Sequence, residues 1–167
     1  MADTGTVQNL DEIRLQSLEG TSRPVSEWLT TFHMAAVVLD PFTHESSWIL
    51  DTARRILTAF SGADVRVAFI VCGTDGDGAR SFMGPLANEI LSLADPDSGL
   101  VSSLGLSTLP SFVAIRQDGS LIATAEGWDP EAWRLVATSL ADLTAWTRPE
   151  IPAAGDPAPY AGTPATS

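Results

Sequence analysis

The sequence predicts an α/β fold, a central mixed sheet flanked by helices and closed by an antiparallel hairpin. Three observations carry this. Residues 34–39 (MAAVVL) and 65–71 (VRVAFIV) are apolar, valine-rich runs of the length and continuity expected of strands buried on both faces. Between them Trp48, Ile49, Ala53, Ile56, Leu57 and Phe60 recur at helical spacing, as in a crossover joining parallel strands. Downstream, two strand-like runs, 111–116 and 121–125, flank Gln117-Asp118-Gly119, and Asp-Gly between such runs is a strong hairpin signal.

The elements follow in order. Residues 13–18 alternate partly and read as a short edge strand. Ser22 with Pro24 after it resembles a helix start, so a short helix is expected over 25–32. Strand 34–39 ends at the turn Asp40-Pro41-Phe42-Thr43-His44-Glu45, and the helix after it runs from about Ser46 to Ser61, stopped by Gly62. Strand 65–71 leads into Gly73-Thr74-Asp75-Gly76-Asp77-Gly78, a loop by composition. Residues 82–93 are weakly helical and broken near the front by Gly84-Pro85. A turn at 95–99 precedes a short helical piece at 100–104, and then the hairpin. Asp129 and Pro130 suit the N-cap and first position of a last helix reaching about Trp146, with Trp133, Val136, Ala137, Leu140 and Leu143 inward. The expected order is β, α, β, α, β, α, β, β, α.

A chain of 167 residues suits one domain. Residues 1–12 are polar and expected to fray, 13–146 form the domain, and 147–167 form a tail. Pro149, Pro152, Pro157, Pro159 and Pro164 fall in that tail, which is expected to be extended, without a core of its own and removable without loss of folding. Within it Pro157, Pro159 and Tyr160 are the expected contact residues.

Charge and composition exclude several functions. Nine basic residues, all arginine, against 21 acidic ones leave a net charge of −12, which repels phosphate backbones, so no nucleic-acid partner is expected. The longest apolar run is far too short to span a bilayer, so no membrane insertion is expected. The start lacks the basic and apolar regions of a signal peptide, and a cytoplasmic location is the expectation. A single cysteine, Cys72, leaves no internal disulfide and no cysteine-rich zinc site.

Residues 104–122 (LGLSTLPSFVAIRQDGSLI) resemble the thioredoxin family: a short helix, a glycine, a few residues, a proline, a strand, Asp-Gly and a second strand. Gly127 matches the glycine that ends the last strand there. The turn at 95–99 and the extra segment between Val71 and Asp95 are closer to the TlpA and peroxiredoxin branch. The likeness covers roughly residues 13–146 and implies a thioredoxin-like fold, with a cis peptide bond between Leu109 and Pro110. In that family the proline turns the chain so that the residue before it can pair with an extended substrate; shaping a tight turn is the structural alternative, and one geometry serves either.

The resemblance also shows what is missing. The family's Cys-x-x-Cys belongs where the strand ending at Leu39 meets the next helix, and residues 40–49 (DPFTHESSWI) contain no cysteine. A thiolate is the nucleophile of thiol–disulfide exchange and a serine hydroxyl cannot replace it, so neither dithiol oxidoreductase nor peroxiredoxin activity is expected. Cys72, at the end of the second strand, reads as a packing residue, with a reactive thiol as the alternative.

Other constellations are weaker. His44, Glu45, Ser46 and Ser47 resemble hydrolase components, but triads are assembled in space rather than along one turn, and Ser46 reads as a helix cap. Asp75, Asp77, Asp95 and Asp97 lack the ligand series and closing glutamate of a calcium loop, and the 73–78 loop lacks the lysine of a phosphate-binding loop. No metal, cofactor or catalytic residue is assigned. Five tryptophans are present. Trp133 fits the core; Trp48 and Trp128 would flank the family's substrate groove, beside Phe42 and Thr108-Leu109-Pro110, either as binding anchors or as packing residues.

The expected function is therefore protein binding by a redox-inactive thioredoxin-like fold, through Phe42, Trp48, Thr108, Leu109, Pro110 and Trp128, with the tail as a second element. Hydrogenase-expression proteins of the HyaE type are similar in Trp28-Leu29, in an apolar strand running into Asp40-Pro41, and in Thr43 and Glu45. That resemblance implies an assembly chaperone or accessory factor for a metalloenzyme such as a hydrogenase. The alternatives are a subunit of a larger complex docked through the tail, and a single-cysteine thiol enzyme using Cys72.

Overall fold

A computed structural model describes residues 10–165. The expectation for the first twelve residues falls mostly on 1–9, which lie outside the described residues. The strands are β1 (Arg14–Ser17), β2 (Ser22–Pro24), β3 (His33–Leu39), β4 (Val65–Cys72), β5 (Leu91–Asp95), β6 (Thr108–Leu109), β7 (Ser111–Ile115), β8 (Leu121–Glu126) and β9 (Thr163–Pro164). The helices are α1 (Val25–Trp28), α2 (His44–Trp48), α3 (Leu50–Ala59), α4 (Gly76–Met83), α5 (Gly99–Leu104) and α6 (Pro130–Thr144), with a 3₁₀ turn over Gly84–Asn88.

Seven strands form one mixed sheet in the order β2-β1-β5-β4-β3-β7-β8. The centre is parallel, β3 against β4 and β4 against β5, while β7 and β8 run antiparallel. Val37 of β3 lies opposite Phe69 on one side and Phe112 on the other. The strand period of two splits the apolar runs between two cores. Ala35, Val37, Leu39, Phe69 and Phe112 face Ile56 of α3, Phe60 just past its end, and Trp133 and Leu140 of α6. Met34, Val38, Ile70 and Val113 face Val25 of α1 and Leu100 and Val101 of α5. No helix among the described residues is long and apolar enough to cross a membrane.

Several local expectations are corrected. Residues 14–17 are not an edge strand: β1 lies between β5 and β2, and Ser22 starts β2 instead of capping a helix. The first helix is only four residues long. The helix expected from Ser46 is two pieces, α2 and α3, meeting at Ile49. Helix α4 begins inside the expected 73–78 loop, where the Asp75 side chain accepts from the Gly78 N–H and the Gly76 N–H donates to Gln16 Oε1. Gly76 packs so close to β1 that a Cβ there would meet the Ser17 carbonyl oxygen at 2.6 Å. Residues 91–93, expected as the end of a weak helix, belong to the buried strand β5, which runs on to Asp95. Their leucines and alanine suit a helix locally, but a parallel partner in β4 decides the outcome.

Two buried acceptors fix the helix starts that follow β3 and β5. Ser46 is in the first turn of α2, not at its cap, and its Oγ accepts from the Asp40 N–H at 2.9 Å. The Asp95 carboxylate, 1% exposed, accepts from the N–H groups of Gly99, Leu100 and Val101 at the start of α5. Burial pushes its carboxyl above the usual range, and those three bonds oppose the shift.

Candidate binding groove

The groove lies where β3 ends and α2 begins, beside the turn before β7 and the chain leaving β8. Asp40 closes the first wall: its Oδ1 accepts from the Phe42 N–H, holding residues 40–43 in a tight turn. Phe42 projects from this turn, 78% exposed, on the side of Gly73. His44 is exposed, and Ser47 Oγ donates to its carbonyl oxygen, so the serine and imidazole side chains are not paired as base and nucleophile. Trp48, 56% exposed, stands at the end of α2.

The second wall is residues 107–111. The Leu109–Pro110 peptide is cis. One oxygen of Glu126 accepts from the Ser107 N–H, the Ser107 hydroxyl and the Thr108 N–H at 2.7, 2.9 and 2.8 Å, stitching this turn to the end of β8. Ser111 Oγ donates to the Thr108 carbonyl oxygen, and the Gly127 N–H donates to that of Pro110. Leu109 and Pro110 are buried and Thr108 half-buried.

The tail fills the space between the walls. Its first part is anchored to the body. Ile151 is buried in the core, and its carbonyl accepts from Arg134. Asp156 accepts from Thr52 Oγ1, from Arg55 and from the Ala153 N–H, at 2.9, 2.7 and 2.7 Å. This much of the tail packs into the core of the body through Ile151 and does not stand apart from it.

Beyond Asp156 the chain runs extended across the groove. Trp128 Nε1 donates to the Pro157 carbonyl oxygen at 2.8 Å. Trp128 and Tyr160 exchange two main-chain hydrogen bonds, 2.9 and 3.1 Å, as an antiparallel bridge. Strand β9 then pairs antiparallel with β6, Thr163 opposite Leu109 and Pro164 opposite Thr108, and the Ala165 N–H donates to the Ser107 carbonyl oxygen. The Tyr160 hydroxyl donates to the Glu45 carbonyl oxygen at 2.6 Å, and its ring meets Trp48 edge to face at 5.5 Å. Burial pushes the Tyr160 phenol well above its ordinary range, and the Glu45 charge pushes the same way.

Of the residues predicted for this site, Trp48, Thr108, Leu109 and Trp128 are brought together on the tail; Pro110 lies behind, its carbonyl tied to Gly127, and Phe42 stands to one side. Trp128 is completely buried, packed edge to face on Trp133. In the tail, Pro157 gives its carbonyl to Trp128, Tyr160 is the main contact, and Pro159 is exposed between them. Sequence reasoning did not find Glu45 as an acceptor, Glu126 as a stitch, Asp156 as an anchor, or Gly162. Gly162 carries a weak signal, a glycine two residues beyond an aromatic. It adopts φ +82°, and a Cβ there would meet the Leu109 carbonyl oxygen at 2.5 Å and the Gly127 Cα at 3.2 Å.

Cys72, the only cysteine, sits at the end of β4 and is 4% exposed. Burial first, then the Asp40 charge, pushes its thiol up to about 11. Two of the four aspartates weighed for calcium hold the protein itself: Asp75 caps α4 and Asp95 caps α5. Among the described residues no group of three or more His, Cys, Asp or Glu side chains is placed to hold a metal ion.

No family model matches the chain, and no curated protein matches it. Solved structures do. A hypothetical protein from Sinorhizobium meliloti superposes with a TM-score of 0.68 at 13% identity, over 97% of this chain and 93% of that one. A putative thiol:disulfide interchange protein DsbE from Chlorobium tepidum gives 0.66 at 12% identity, over 85% and 98%. A secreted disulfide oxidoreductase of Mycobacterium tuberculosis, homologous to E. coli DsbE, gives 0.59 at 17%, over 80% and 98%. The fold is thioredoxin-like.

Proposed function

We propose that this thioredoxin-like chain binds other proteins and carries out no dithiol chemistry. One observation carries the reading: the groove accepts an extended polypeptide by main-chain pairing at Thr108, Leu109 and Trp128, while residues 40–49 beside it hold no thiol. Such strand addition takes its affinity from the main chain and its selectivity from side-chain contacts, here Trp48 and the Glu45 carbonyl. The depth of Cys72 and its raised thiol weigh against a single-cysteine enzyme, because the protonated form is a poor nucleophile. The role that fits is an accessory or assembly factor, and the likeness to HyaE-type proteins makes a metalloenzyme subunit the first client to examine.

The test is site-specific photo-crosslinking of the full chain in native lysate, with the crosslinker at Phe42, which is exposed and clear of the tail. A stoichiometric partner crosslinked there and lost on Trp48→Ala supports the reading. Turnover of a disulfide substrate by the purified chain, abolished by Cys72→Ala, contradicts it.

A further inference from the structure

The tail segment 157–165 uses the whole length of the proposed groove, so it and a partner cannot occupy it together. We propose that this segment is a tethered competitor, and that the external ligand is an extended partner segment of the same chemistry, which binds by displacing it. The inference rests on the protein-binding reading above and adds what the groove selects.

The tail contacts define that ligand. A tyrosine is required where Tyr160 sits, because its hydroxyl reaches the Glu45 carbonyl oxygen while its ring meets Trp48. Two residues on, only glycine fits: a Cβ at position 162 meets main-chain atoms of Leu109 and Gly127, which cannot swing aside, and the φ is in the left-handed region. Gly127 is the reciprocal position, where a Cβ would meet the Ala161 carbonyl oxygen at 2.5 Å. Two glycine backbones in contact make a slot that excludes side chains from both partners. After the glycine, one residue pairs with Leu109 and the next with Thr108. The ligand carries no acidic residues in this stretch. Segment 157–165 is uncharged, and Glu45, Glu126 and Asp129 belong to the groove and its flanks in a chain of net charge −12.

The anchor explains why the competitor can leave without unfolding the body. Ile151 and Asp156 hold the tail on α3 and α6 independently of the groove contacts. Released beyond Asp156, the segment stays tethered a few residues away, at an effective concentration on the order of millimolar. Ligand affinity for the wild-type chain is then lowered by the fraction of time the groove is filled.

The experiment uses the full chain and a fluorescein-labelled peptide copying residues 156–165. Binding is measured by anisotropy to wild type and to Gly162→Val and Tyr160→Ala, with the Tyr160-position and Ala165 amides followed by hydrogen exchange to report tail release. The expected result is release in both variants, peptide affinity about tenfold or more above wild type, and no binding of a peptide carrying valine at position 162. Equal affinity for wild type and released variants overturns the competitor while leaving the groove reading intact. No peptide binding to chains whose tail is shown to be released overturns both. Persistent amide protection in both variants contradicts the glycine slot and overturns the inference. A wild-type dimer that dissociates on Gly162→Val assigns the strand to exchange between copies and overturns it as well.

Discussion

Trp128 and Tyr160 are bound main chain to main chain: the Trp128 N–H donates to the Tyr160 carbonyl at 2.9 Å, and the Tyr160 N–H returns the bond at 3.1 Å. The pair joins a residue just past the last strand of the sheet to one in the proline-rich tail. It fixes the tail in the groove by main-chain groups that every residue except proline carries, so the indole and phenol remain free for selectivity. Trp128 turns its indole N–H to Pro157, and Tyr160 turns its hydroxyl to Glu45.

Tail docking is expected to weaken in alkali. The Tyr160 phenol is held protonated in the groove above its ordinary value of 10. A raised value means that docking is fully stable below pH 10 and is lost as pH rises through the docked value, because the released tail ionises first. The protection of the Ala165 amide, its exchange measured against the free-peptide rate at the same pH, should therefore fall above pH 10. Tyr160→Phe should remove that dependence while weakening docking by about 0.5–1.5 kcal/mol, the net worth of one hydrogen bond.

Cys72 gives a separate alkaline signature. Its thiol rises from 9.0 to about 11 on folding, so its contribution to stability is complete below pH 9 and declines as pH rises toward 11. Denaturant midpoints measured from pH 8 to 11 should fall less steeply in Cys72→Ala than in the wild type. The native thiol should react with Ellman's reagent far more slowly than the unfolded one.

The two groove tryptophans should separate cleanly. Trp128→Ala removes a fully buried indole and should cost about 3–5 kcal/mol of stability. Trp48 is 56% exposed, so Trp48→Ala should cost well under that, about 1 kcal/mol or less, with its effect on tail docking and partner capture instead. Urea unfolding and amide exchange at position 160 distinguish the two losses.

The sequence offered both tryptophans as anchors or as packing residues, but their difference in burial was not legible, since the tail that covers Trp128 comes from 29 positions or more further along. The hairpin at Asp118-Gly119, the Asp129-Pro130 helix start and the buried strand 34–39 were legible because their signals are local. Strand β5 was not: Leu91, Leu93 and Ala94 have no strand preference, and pairing with β4 on one side and β1 on the other makes them one. The tail's path escaped for a similar reason. Its groove contacts are mostly main-chain bonds, which leave no pattern in side chains, and its anchor is one isoleucine and one aspartate among prolines.

That anchor should be separable from the groove strand. Ile151→Ala should cost about 2–4 kcal/mol of global stability, as expected for a buried aliphatic side chain. Asp156→Ala should cost less, about 1–2 kcal/mol, because Arg55 can return to solvent once its partner is lost. Gly162→Val should cost only the free energy of tail docking, about 1.4 kcal/mol for a tenfold effect, with the anchor contacts kept. Thermal unfolding of the three variants in parallel gives the ranking.

The most direct measurement is native-state amide hydrogen exchange of the full chain at residues 128, 160 and 165. The account predicts protection at all three, lost together in Gly162→Val because each of these amides is bonded across the tail–groove contact, while β3 and β4 keep theirs. Exchange at the unprotected rate at Tyr160 and Ala165 in the wild type would contradict it, for the groove would then be empty in solution.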